Sequence, residues 1–79
     1  MVDSFQLRAA RALTGLSQPE VAEAAGVSIP TLKRAESRRQ IKVADEMIAA
    51  IAKALERAGV EFIPENGGGA GVRFRKKRR

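Results

Sequence analysis

The stretch GLSQPEVAEAAGVSIPTLKRAE, residues 15–36, constrains this chain more than any other part of it. Ser-x-Pro occurs in it twice, at Ser17–Pro19 and Ser28–Pro30, eleven residues apart with Gly26 between them. Each is a helix start: the hydroxyl accepts from a free backbone N–H, and a proline in the first turn has no intrahelical bond to lose. Ser17-Gln18-Pro19-Glu20 also fits the capping box, in which serine and the glutamate three residues on satisfy each other's backbone donors. The Ser28 hydroxyl is expected to bond the Thr31 N–H. Gly26 is a helix stop, so Gly26-Val27-Ser28 alone joins the two segments, and so tight a link crosses them steeply and leaves the second as a projecting rod.

The flanks supply the support for that pair. Ser4 to Thr14 reads as a first helix, with Phe5, Leu7, Ala10 and Leu13 among its less polar positions and Gly15 ending it. Val21, Ala22 and Ala25, then Leu32 and Ala35, give the paired helices their inward faces. Ser37 to Lys42 is a polar, basic loop. A fourth helix carries Ala44, Met47, Ile48, Ile51, Leu55 and Ala58 at helical spacing and stops at Arg57 and Gly59. Beyond Gly59 the period changes: VEFI at 60–63 and VRFR at 72–75 alternate as strands do, with Val60, Phe62, Val72 and Phe74 on the apolar faces. The Gly-rich loop between them lacks the strand-loop-helix context of a phosphate cradle and reads as a flexible connection. Two strands alone are marginal in water, so the hairpin must lie on helix four, pair with another chain or stay disordered.

Composition narrows the function. The 79 residues make one small, mainly α domain, with no Cys, His, Trp or Tyr. The usual zinc and haem ligand sets are missing, and no carboxylate pair shares a plausible pocket, so neither an enzyme nor a cofactor is expected. No apolar run approaches the ~18 residues of a membrane span, and the N-terminus lacks the features of a signal peptide, which points to the cytoplasm. Of the net +6, six cations lie in the last seven residues, RFRKKRR, so residues 1–72 are neutral overall. That neutral body is polarised. Residues 28–42 hold Lys33, Arg34, Arg38, Arg39 and Lys42 against Glu36 alone, whereas residues 43–65 are mostly acidic. The projecting segment calls for an anion.

Residues 7–58, about two-thirds of the chain, resemble the Cro/cI repressor type of helix-turn-helix domain, the XRE family, most specifically over LSQPEVAEAAGVSIPTLKRAE. The resemblance implies a lambda-repressor-like fold of four to five helices, here over residues 1–59, with a β-hairpin at 60–75 and a basic tail at 76–79. It implies double-stranded DNA as partner, a recognition helix at 28–38, and Ser28, Ile29, Pro30, Lys33 and Arg34 on its exposed face, with Thr31 nearby as cap or contact. Gln18 matches a phosphate-contacting position, and Arg11 and Glu36 match an ion pair between the first and third helices. The family's glycine-containing loop after the recognition helix is replaced here by Ser37-Arg38-Arg39-Gln40.

Physical chemistry supports these roles separately. A major groove admits an α-helix, and Lys33 and Arg34 can donate to guanine O6 and N7. Ile29 and Pro30 carry no useful donors but can contact thymine methyls or simply start the helix. Arg38 and Arg39 suit phosphates, which position without specifying sequence. Arg75, Lys76 and Lys77 in the tail would add phosphate contacts and steepen the salt dependence. Members of this family usually act as dimers on pseudo-palindromes, with half-sites ~34 Å apart. With no second domain, the expected homodimer contact is Val60, Phe62, Val72 and Phe74. Other readings on the same fold are an antitoxin or antiactivator adaptor that holds a protein partner, and an architectural or recombination accessory DNA binder of a mobile element.

Overall fold

The computed structural model describes residues 2–39 and 41–76. Four helices, α1 (Ser4–Thr14), α2 (Gln18–Ala25), α3 (Ile29–Ala35) and α4 (Asp45–Arg57), precede two strands, β1 (Val60–Ile63) and β2 (Gly71–Phe74). The mainly helical domain with a C-terminal hairpin is as the sequence predicts. The hairpin, however, runs one residue earlier at β2, over 71–74.

Local signals account for the helix ends. Asp3 caps α1, and its carboxylate accepts from the Gln6 N–H while Gln6 Oε1 accepts from the Asp3 N–H, a second capping box. Ser17 and Glu20 form the one expected at α2, and the Ser28 Oγ accepts from the Thr31 N–H at 3.1 Å. Gly15 and Gly26 close α1 and α2 in the left-handed region, at φ 74° and 73°, where a Cβ would be strained. The N-cap of α4 is Ala44, which offers no side-chain bond, but Asp45 and Glu46 lie in the first turn, where the helix dipole favours negative charge.

The helix expected over 28–38 is shorter: α3 ends at Ala35. Glu36 is its C-cap, and the Ser37 hydroxyl accepts from the Arg39 N–H at 3.1 Å. Such a side-chain bond to nearby backbone competes with helix continuation.

Leu7, Val21, Leu32, Ile51, Leu55 and Val60 are fully buried, one or more from every helix and one from β1. α2 packs on α3 and α4, while α1 packs on α4 and on both strands. Of the apolar positions in α4, Ile51 and Leu55 enter this core. Met47 does not: it is exposed in the first turn of α4, beside Ile48, which is partly buried against the core. Phe5 is also exposed, with the Arg8 guanidinium 4.9 Å from its ring centre.

The antiparallel register pairs Val60 with Phe74 and Phe62 with Val72, so all four apolar residues share one face. That face lies on its own subunit. Val60 is fully buried in the core and is therefore not available as a dimer contact; Phe62, Val72 and Phe74 are half-buried against the same cluster. On the other face Arg73 and Glu61 form an exposed ion pair at 3.1 Å.

Gln6 locks the hairpin to α1. Its side chain is buried, and its Nε2 donates to the carbonyls of Gly71 at 2.9 Å and Ile63 at 3.3 Å, one on each strand. Gln6→Met keeps the length and removes these bonds. We expect a loss of about 1–3 kcal/mol in urea unfolding, with faster amide exchange in the hairpin than in α2. Unchanged stability and exchange would show that packing alone holds the hairpin.

Candidate nucleic-acid interface

α3 sorts its residues by side. Thr31, Leu32 and Ala35 are buried, whereas Ile29, Pro30, Lys33 and Arg34 are exposed. The exposed four fall at i, i+1, i+4 and i+5, which is one helical face. Ser28, exposed at the N-cap, begins that face. Its hydroxyl is used within the helix, by the Thr31 N–H and by the Thr31 Oγ1 at 2.8 Å. The face combines two apolar groups at its start with two cations one turn on. It therefore presents methyl and methylene surface beside hydrogen-bond donors, and no carboxylate.

Behind α3 stands a polar node. Glu36 is buried, and its carboxylate accepts from Arg11 Nε at 2.8 Å, Arg11 Nη2 at 3.1 Å and Gln18 Nε2 at 3.1 Å. The bidentate guanidinium is the strong form of such a pair. One carboxylate thereby ties α1, the first turn of α2 and the end of α3. Gln18 is thus committed through one N–H of its amide to Glu36, an arrangement that spacing alone does not reveal.

The capping box of α2 adds a titratable element. The Ser17 backbone N–H donates to Glu20 Oε1 at 2.8 Å, and this bond, with a smaller contribution from the Ser17 hydroxyl, holds the fully exposed Glu20 carboxyl below its ordinary value of 4.5. A carboxyl depressed on folding stabilises the folded state above its unfolded pKa. The contribution fades as pH falls through the lower, folded value.

Arg38 and Arg39 are exposed in a turn directly beyond α3. The Ser37 hydroxyl shapes that turn; the serine two residues ahead of Arg39 was the available signal for it. Arg75 and Lys76 lie elsewhere. The Arg75 N–H bonds the Gly59 carbonyl at 2.9 Å, so the tail departs near the C-terminal end of α4. The loop from α3 enters the other end of that helix, about 20 Å away by helix length. Lys77, also expected at phosphates, lies outside the described residues. Ser28, Ile29, Pro30, Lys33, Arg34, Arg38 and Arg39 thus fall along one short segment, whereas Arg75 and Lys76 follow β2. Among the described residues no helix is long and apolar enough to cross a membrane.

Residues 4–62 match a family model described as a helix-turn-helix domain, which covers most of the chain. Among curated proteins, none matches.

Two predictions follow from the node and the cap. Glu36→Gln should cost about 3 kcal/mol in urea unfolding, the low end for breaking a buried pair, because Arg11 keeps 27% of its side chain in solvent. A cost near zero would show that the Arg11 charge is satisfied by water. Glu20→Gln retains an acceptor without a titrating group. Its stability should fall less than that of the wild type as pH drops below 4.5, and parallel pH profiles would refute the titration of the cap.

Proposed function

The chain belongs to the helix-turn-helix family of XRE-like regulators, and from that premise we propose that it is a transcriptional repressor that reads a pseudo-palindromic operator in double-stranded DNA as a homodimer. The observation that carries this reading is the division of α3, with Leu32 and Ala35 sunk in the core and Ile29, Pro30, Lys33 and Arg34 turned outward. A seven-residue helix held on its buried side is a rigid probe for a major groove. In the groove, Arg34 and Lys33 donate to guanine O6 and N7, and Ile29 and Pro30 meet thymine methyls. Arg38 and Arg39 contact phosphate on the flank, and Gln18 reaches another phosphate with its remaining N–H. The tail residues Arg75 and Lys76 add affinity without sequence preference.

The homodimer uses the hairpin. With Val60 in the core, the contact is made by the outer parts of Phe62, Val72 and Phe74 and by an open strand edge of the two-stranded sheet. The protein works in the cytoplasm, on the DNA of the nucleoid.

The test is selection of bound duplexes from a random pool at two salt concentrations. The full chain and a chain ending at Arg75 are compared, the latter keeping the Arg75–Gly59 bond that closes the hairpin. A symmetric motif with half-sites ~34 Å apart, recovered by both chains, is the expected result. Arg34→Ala should then relax discrimination at one base pair per half-site by ~1–3 kcal/mol. Absence of a motif, or binding that disappears with the tail, would overturn base readout by α3.

A further inference from the structure

Thr31 differs from its neighbours at the start of α3. Its exposure is 7%, while Ile29, Pro30, Lys33 and Arg34 are all exposed. Its Oγ1 accepts hydrogen bonds from two sides, from Ser28 Oγ at 2.8 Å and from Arg34 Nη2 at 3.3 Å. The Ser28 Oγ in turn accepts from the Thr31 N–H at 3.1 Å. Ser28, Thr31 and Arg34 are spaced by three residues and lie one above another along the helix. A hydroxyl oxygen has two lone pairs, and here both have donors.

This arrangement has a consequence for the guanidinium. Arg34 is drawn back toward the N-terminal end of α3, the direction that helical side chains favour. That is also the end whose residues meet base edges in a recognition helix. Only one N–H of Arg34 goes to Thr31, so the rest of its donor fork stays available for a bidentate bond. An arginine already held in this direction loses less rotamer freedom on docking than one that is untethered.

We infer that Thr31 is a positioning residue that aims Arg34 at its base through the N-cap of α3, and is not itself a base contact. The inference rests on the reading of Arg34 as a base-reading residue. It predicts that the Thr31 oxygen governs specificity at a single position of the motif.

Thr31→Val removes the oxygen and keeps the branched shape in the buried site, whereas Thr31→Ser keeps the oxygen. Each is put through the random-pool selection beside the wild type and Arg34→Ala, with the salt slope on a random-sequence duplex measured in parallel. The position that loses its base preference in Arg34→Ala identifies the Arg34 contact. Thr31→Val should weaken the preference at that position by about tenfold, leave the other positions and the salt slope unchanged, and be rescued by Thr31→Ser. A position lost in Arg34→Ala but intact in Thr31→Val overturns the positioning role alone. Loss of preference at every position in Thr31→Val, with a lowered melting temperature, assigns Thr31 to the cap only and overturns it too. A wild-type chain that enriches no motif refutes base reading by Arg34 and the inference with it. If Thr31→Val does not fold, the order parameter of the Arg34 Nε–H bond in the unbound wild type decides: a rigid value supports the tether, and one below about 0.6 overturns it.

Discussion

One carboxylate holds the arrangement of the three N-terminal helices. Glu36 is 4% exposed, at the C-cap of a helix whose other polar residues face outward or bond within the cap. A buried acid costs free energy unless it is fully paired. Here Arg11 reaches it from α1 with two donors and Gln18 from α2 with one, so its lone pairs are met from both neighbouring helices. The same Arg11 also approaches the Leu16 carbonyl in the α1–α2 turn, at 3.5 Å. α3 contributes only seven residues, far fewer than an isolated helix needs to persist in water. Its geometry depends on what grips its ends. At the start there are Ser28 and the three-residue link; at the finish there is Glu36. A projecting helix anchored at both ends keeps its outward face in a fixed direction, which is the property a groove reader requires.

How much of this could be read from the chain depended on sequence distance. Caps and stops lie within four residues of what they act on, and Ser17, Glu20, Ser28, Gly15 and Gly26 do what their local chemistry dictates. Gln6 is different. Its local half, the bond with Asp3, follows the capping-box pattern, but its amide also bonds carbonyls 57 and 65 residues away. No pattern in α1 reports on a hairpin so distant. Gln18 and Thr31 also make bonds that residue type and position do not reveal: Gln18 donates to Glu36, and the Thr31 hydroxyl oxygen accepts from Arg34. The apolar stripe of α4 shows a different limit. Met47 shares the spacing of Ile51 and Leu55 but is exposed, because helical period indicates only which side a residue occupies, not how far it is covered.

The charge distribution acquires a meaning that composition lacks. The basic turn at Arg38 and Arg39 precedes α4, whereas Arg75 and Lys76 follow the hairpin that comes after it. A single concentrated patch would favour nonspecific attraction to any polyanion. In the proposed complex, two sources of positive charge in different parts of the chain would let one set register α3 against the backbone while the other adds salt-sensitive affinity.

The hairpin is where sequence and structure diverge most usefully. Strands of four residues with an alternating apolar face have two outlets for that face, a partner chain or their own subunit, and periodicity is the same for both. The choice is made by tertiary geometry. β1 leaves α4 after a single turn at Gly59, so Val60 has no room to swing away from Leu55 and Ile51, and it enters the core. Once Val60 is fixed, the register carries Phe62, Val72 and Phe74 onto the same side, and Gln6 ties the far end of the ribbon to α1. What the hairpin can offer another copy is thereby reduced to its strand edges and to the parts of three side chains that the subunit leaves uncovered. Main-chain pairing at an edge is directional and needs little apolar area, so the proposed symmetric contact is compatible with a hairpin that completes the core of its own chain.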